Sequence, residues 1–231
     1  MARGRAAGYD DQREMILQRA AHLFARRGYV GTSMNQVADA CGLSKATLYH
    51  YYRDKYALLV SIAEEHVSRL QALVGEVGAQ KLEPQARVRE LIRRIVGEYA
   101  HAQDAHRVLT EDVKFLAPED RQRVLGKERE VVAGFAAAIA AFRPEFNAAS
   151  LAKPLTMLLF GMINWLFTWM KPDGEIDHEA MAPIVADLFL GGLPAVRLHR
   201  PVAAPIAVPA ASIKPPSRSR SRTRSRPLPL E

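Results

Sequence analysis

From Met15 to Leu190 the apolar residues of this chain recur three and four positions apart, and no run alternates apolar with polar between turns. That period belongs to helices, where side chains at i, i+3, i+4 and i+7 share a face; a strand repeats every second residue. The chain therefore reads as all-α, with about nine helices. Met15, Ile16, Ala20, Leu23 and Phe24 share a face over residues 10–27, and Gly28 follows as a stop. Thr32 or Ser33 caps a short helix from Met34 to Ala40, Gly42 interrupts it, and Ser44 caps a second one through Tyr51. Asp54 opens a long helix from Lys55 to about Val77, with Leu58, Leu59, Ile62, His66, Leu70 and Leu73 in register and Gly75, Gly78 and Pro84 at its end. Arg87 to His101 is amphipathic, and Pro118 starts a helix that runs to about Phe142. Residues 148–171 are apolar nearly all round, which predicts a helix buried on several sides. Pro172-Asp173-Gly174 reads as a turn, and a last helix spans about His178 to Leu190.

Charge divides the chain in three. Residues 1–58 carry 9 basic and 5 acidic side chains, residues 59–200 carry 17 and 19, and residues 201–231 carry 6 and 1. A basic front and a basic tail flank a mildly acidic middle, which points to an acidic partner such as nucleic acid at the ends. The expected organisation follows the same lines: a basic N-terminal domain over 1–58, a mildly acidic helical domain over 59–200, and a disordered basic tail over 201–231. In that tail Pro, Ala, Ser and Arg dominate, and 217–226 reads SRSRSRTRSR. Such a stretch buries too little apolar surface to offset chain entropy.

Several classes are excluded by composition. With 48% apolar residues the chain can fill a core. Its single cysteine, Cys41, permits neither an intrachain disulfide nor a cysteine-built zinc cluster. The most apolar stretch, Leu155 to Met170, is interrupted by Thr156, Asn164 and Thr168 and falls short of the roughly 20 residues that cross a bilayer. The first 20 residues are charged throughout and hold no signal-peptide core. A soluble cytoplasmic protein, associated with the nucleoid and not with membrane, is the expectation. Its histidines are scattered, and no HExxH, GxSxG, GxGxxG or phosphate-loop pattern occurs, so no enzyme, no metal and no cofactor is expected.

The densest information lies in residues 34–52, MNQVADACGLSKATLYHYY. Val37 and Ala38 are apolar, Gly42 sits where the first short helix must turn, and Leu43 and Leu48 face inward. This is a helix-turn-helix pattern, in which the first helix braces and the second enters the major groove by its N-terminal part. Ser44, Lys45, Thr47, Tyr49 and His50 face outward, able to meet phosphates, base edges or a thymine methyl. Lys55 stands at the next helix start, where a cation joins free backbone N–H groups suited to phosphate. Cys41, among core positions, reads as a small buried hydrophobe.

The segment around this motif resembles the N-terminal domain of the TetR family of bacterial transcriptional regulators. The matching residues are Ile16, Ala20, Leu23, Phe24, Arg27, Gly28, Tyr29, Thr32, Ser33, Val37, Ala38, Ala40, Gly42, Leu43, Ser44, Thr47, Leu48, Tyr49, Tyr51, Tyr52, Lys55, Leu58 and Leu59. KATLYHYYRDK, residues 45–55, carries Ala46 where some members have Gly. The resemblance implies a homodimer on a palindromic double-stranded DNA operator. Thr47, Tyr49 and His50 then lie at base and groove contacts, and Ser33, Lys45, Tyr51 and Lys55 at phosphate contacts. It also implies that 1–58 is the DNA-binding domain and 59–200 a domain that binds a small effector and forms the dimer, with helices 118–142 and 148–171 pairing across it.

Residues 161–174, GMINWLFTWMKPDG, resemble the branch of that family that answers to acyl-CoA thioesters, the regulators of phenylacetate, fatty-acid and steroid catabolism. Phe115, Phe160, Trp165 and Trp169 are the candidate apolar walls, and Asn164 and Thr168 the candidate orienting groups. Arg93 and Arg94 are the candidate partners of CoA phosphates, with a solvated face paired to Glu90 and Glu98 as the plain alternative. Two other readings remain. One keeps the fold and takes a drug-like efflux substrate, for which Glu111 and Asp112 are the central carboxylates. The other is an architectural protein that binds nucleic acid without sequence preference through the SR-rich tail.

Overall fold

The computed structural model describes residues 7–170 and 175–197. Every regular element among them is helical: α1 (Ala7–Gly31), α2 (Met34–Cys41), α3 (Lys45–Tyr51), α4 (Lys55–Ala79), α5 (Pro84–His101), α6 (Gln103–Asp112), a 3-10 turn (Val113–Phe115), α7 (Pro118–Phe142), α8 (Pro144–Ala148), α9 (Ala152–Trp169), α10 (His178–Gly192) and a closing 3-10 turn (Leu193–Ala195). The reading of 172–174 as a turn and of 201–231 as a disordered tail falls outside the described residues.

Local chemistry sets the boundaries. Asp54 and Asp177 accept the N–H groups of Ala57 and Ala180 at 2.7 Å, which caps α4 and α10. Pro84, Pro118 and Pro144 open α5, α7 and α8, where a missing N–H costs nothing. Helix α6 is an addition to the expected set. Its break from α5 is a single residue, Ala102, at φ −121° and ψ 35°, and no glycine or proline marks it in the sequence. The helix expected over 148–171 is α9, which starts only at Ala152; the short α8 precedes it, and Ser150 between them has a left-handed φ of 57°.

Two apolar cores result. The first joins Ile16, Phe24, Val37, Leu48, Leu58 and Leu59 of α1–α4 to Val108, Leu109, Leu116 and Val124 of α6, the following turn and α7. The second joins the far half of α4 to α5, α7, α8, α9 and α10 around Ile92, Ile95, Phe135, Ile139, Phe146 and Leu159. Helix α4 runs through both. Helix α7 packs on α4, α5 and α9, and α10 lies mainly along α5.

One expectation is corrected here. Helix α9 is buried on one side, through Leu155, Leu159, Phe160, Ile163 and Leu166, and exposed on the other: Met157, Leu158, Trp165 and Trp169 are 52%, 66%, 66% and 52% accessible. Apolarity all round told of two apolar faces, but the chain itself covers one.

Candidate nucleic-acid interface

The α2–α3 unit is built by its caps. The Ser33 N–H donates to Gln36 Oε1 at 2.8 Å while Gln36 N–H donates to Ser33 Oγ at 3.3 Å, a reciprocal box that starts α2. Gly42, at φ 66° and ψ 26°, ends it, and the Leu43 N–H reaches back to the Ala38 carbonyl at 3.0 Å. Only glycine holds that left-handed turn without Cβ strain. Ser44 Oγ then accepts from Thr47 N–H at 3.1 Å and lies 2.8 Å from Thr47 Oγ1, which starts α3. Leu48 is the buried anchor of α3, at 0% exposure.

Around that anchor Ser44, Lys45, Thr47, Tyr49 and His50 are all exposed, so the polar face expected to meet DNA points to solvent as one surface. Lys45 Nζ stands 5.9 Å from the Tyr49 ring centre. Ser33 is exposed beside α2. Tyr51 is half-buried, its ring stacked 4.7 Å from Tyr9, and His50 meets both rings edge-on. Sequence reasoning did not single out Tyr9 or its neighbour Arg13, which pairs with Glu65 at 2.6 Å and lies 5.7 Å from the Tyr52 ring. An aromatic and a cation one turn apart at the start of α1 are the signal available for them.

Lys55 is placed differently from the surface cations. Its ammonium donates to the carbonyls of Tyr29 and Thr32 at 2.7 Å each and of Val30 at 3.3 Å, and lies 4.4 Å from the Tyr29 ring centre. In this arrangement it caps the carbonyl end of α1, where a helix favours positive charge.

The eight candidate effector residues do not converge. Phe115 lies against Tyr29 of α1, ring centres 5.4 Å apart. Phe160 is inside the second core, edge-on to Phe135 at 5.0 Å. Asn164 is half-buried, and its Oδ1 is enclosed with no hydrogen-bond partner. Trp165 and Trp169 are on the exposed face of α9, and Thr168 Oγ1 donates to the Trp165 carbonyl at 2.7 Å. Arg93 is paired to Glu90 at 2.7 Å and Arg94 to Glu76 at 2.6 Å.

A cleft of about 550 Å³ opens elsewhere, between α1, α4 and the α5–α6 junction, and carries Glu14, Glu65, Glu98 and Asp104 beside Arg69 and Gln103. Arg69 is paired to Glu98 at 3.1 Å, and Asp104 lies 2.9 Å from His22. Close by, the structure unites two histidines 40 positions apart. His66 of α4 and His106 of α6 are 0% and 2% exposed, His66 Nε2 lies 3.3 Å from His106 Nδ1, and Tyr99 stacks on His106 at 3.7 Å. Burial pushes both imidazoles well below the ordinary histidine range, with each other's charge and that of Arg69 adding to the effect at His66. Among the described residues no group of three or more His, Cys, Asp or Glu is arranged to hold a metal ion.

Comparison with known proteins agrees with this geometry. Residues 16–62 match the family described as bacterial regulatory proteins, tetR family, and residues 81–193 match the tetracyclin repressor-like C-terminal domain. The transcriptional activator FasR of Mycolicibacterium smegmatis is 25% identical over 203 residues, 86% of this chain and 90% of its own length. A TetR-family regulator from Bordetella parapertussis superposes with a TM-score of 0.74 at 36% identity, covering 80% of this chain and 97% of that one. AibR superposes with a TM-score of 0.66 at 25% identity over 77% of this chain and 97% of its own; it has also been solved with isovaleryl coenzyme A and operator DNA. Capped α2, a left-handed Gly42, a solvent-facing α3 and a helical body matched along most of its length leave one assignment: the chain belongs to the TetR family of transcriptional regulators.

Proposed function

We propose that the protein is a homodimeric, non-catalytic repressor that leaves a palindromic operator when it binds an acyl-CoA thioester. The observation that carries the DNA-reading part is the exposed face of α3, with Leu48 locked beneath it. Thr47, Tyr49 and His50 serve the groove, and Ser33, Ser44, Lys45 and Tyr51 the phosphates. Two such helices bind successive major grooves about 34–36 Å apart, which makes the operator a palindrome. The working site is the bacterial cytoplasm, on the nucleoid; among the described residues no helix is long and apolar enough to cross a membrane.

The dimer is supported by the exposed apolar strip on α9 and its neighbour α10, where Ile184 and Leu188 are 41% and 66% accessible. Contiguous apolar surface of this kind calls for a partner, and a second copy presents the same strip. Helix α7 spends Val131, Phe135 and Ile139 on the chain's own core, so α9 and α10 are the proposed pairing helices. The thioester is supported by the 161–174 resemblance, by AibR, and by the enclosed Asn164 oxygen, which a ligand N–H or O–H would satisfy. A second reading replaces the thioester with a cationic, drug-like guest, favoured by the carboxylates of the junction cleft.

One experiment orders these readings. A duplex selected by the protein from a random pool is footprinted with isovaleryl-CoA, phenylacetyl-CoA or a quaternary ammonium dye added. Protection of one short palindrome, lost with a thioester and kept with the dye, is the expected result. Protection without sequence preference would instead support the architectural reading. If Arg93→Ala and Arg94→Ala bind the thioester as wild type does by calorimetry, neither arginine meets its phosphates.

A further inference from the structure

Residues far outside the helix-turn-helix grip the end of α1, and Tyr29 is where they meet. Gly28 breaks the helix with φ 75° and ψ 155°, so the turn 29–31 is a joint and not a stiff continuation of the rod. Its carbonyls are held by Lys55 from α4, and Thr32 Oγ1 donates to the Gly28 carbonyl at 3.0 Å. The C-terminal body reaches Tyr29 as well. The Phe115 ring lies 5.4 Å from the Tyr29 ring, which also meets Phe24 edge-on at 5.5 Å. A few residues on, the Tyr56 hydroxyl of α4 accepts the Ala117 N–H at 2.9 Å and donates to the Asp120 carboxylate. Leu116 and Val124 enter the same core as Leu48.

The stretch 115–120 thus holds both helices that frame α2 and α3: α1 by Tyr29 and α4 by Tyr56. A joint has no direction of its own, so its angle is set by what packs on it, and packed side chains pass displacement on. We infer that Phe115 is a positioning residue for DNA reading: from outside the helix-turn-helix it fixes the angle between α1 and α4, and through it the presentation of α3. This rests on α3 being the reading helix.

The test uses the full-length chain and the duplex selected from a random pool. Phe115→Ala should lower the ratio of operator to random-DNA affinity by about tenfold, the size of one misplaced base contact. Phe115→Tyr, which keeps the ring, should restore it. A role in stability only would reduce the folded fraction and scale both affinities together, leaving the ratio unchanged; that result overturns the inference. If the wild-type protein selects no common sequence, the assignment of α3 fails instead. Amide exchange without DNA then decides the clasp: exchange over Tyr29–Tyr51 about tenfold faster in Phe115→Ala, with α5 unchanged, supports it, and equal exchange rejects it.

Discussion

Lys55 shows what a single side chain can conceal. At the start of a helix in a basic segment, an ammonium is read as a phosphate ligand. The fold gives it three carbonyls at the end of α1 and the face of Tyr29. Hydrogen bonds from a charged donor are worth about 1.5–3 kcal/mol each at best, and partial exposure reduces the sum. Lys55→Met should therefore cost about 1–2 kcal/mol of stability, seen as a lower midpoint in urea. The same variant should leave the salt dependence of DNA binding unchanged, because no phosphate contact is lost. A slope smaller by about one, with the urea midpoint untouched, would return Lys55 to the phosphate backbone. Ser33 and Ser44 are both caps and exposed groups, so their replacement by alanine weakens α2 and α3, by about 1 kcal/mol each, before any DNA is present.

Among the elements, those bounded by strong local chemistry were legible. Helices α2, α3, α4 and α10 start at a Ser or Asp cap that the sequence displays, and Gly42 closes α2 as its position requires. Helix α6 was not legible, because its break from α5 at Ala102 uses an ordinary residue and is stabilised by packing on α1 and α4. The α4–α7 contact was equally hidden. At Gly134 a Cβ would stand 2.3 Å from Val74 Cγ1, so α7 approaches α4 at the distance glycine permits. Gly134→Val should push the helices apart and destabilise the protein by about 1–3 kcal/mol, read as a lower melting temperature. An unchanged melting temperature would mean that Val74 turns aside at no cost. The two-faced character of α9 lies between these cases: its apolarity is plain in the sequence, but which face meets its own core is not.

At the scale of the whole molecule, the two cores meet along α4, and there the chain buries His66 against His106. Both are held neutral in the folded protein, below the ordinary value of 6.5. The sign follows directly. An unfolded chain takes up these protons as pH falls through about 6.5, and the folded one does not, so stability is intact above that value and declines below it. Melting temperatures measured from about pH 8 to about pH 4 should show this decline, and His66→Leu should make it shallower. Identical acid limbs in the two proteins would remove the pair from the account. Neither histidine drew notice as one of a pair in the sequence, since 40 residues separate them.

The sequence by itself determined the period of the helices, their capped starts, the turn at Gly42 and the outward face of α3. Each of these is a local matter of spacing, caps and left-handed backbone within a dozen residues. Long-range partners were decided by the tertiary structure alone. It put Lys55 under the end of α1, Phe115 against Tyr29, His66 beside His106, and Arg94 onto Glu76. It also left the candidate effector residues dispersed and opened a charged cleft where no motif pointed. The physical reason is that a helix propagates its own geometry through backbone hydrogen bonds four residues apart. Which side chains meet across helices depends on how ridges, cores and joints pack, and no local spacing encodes that.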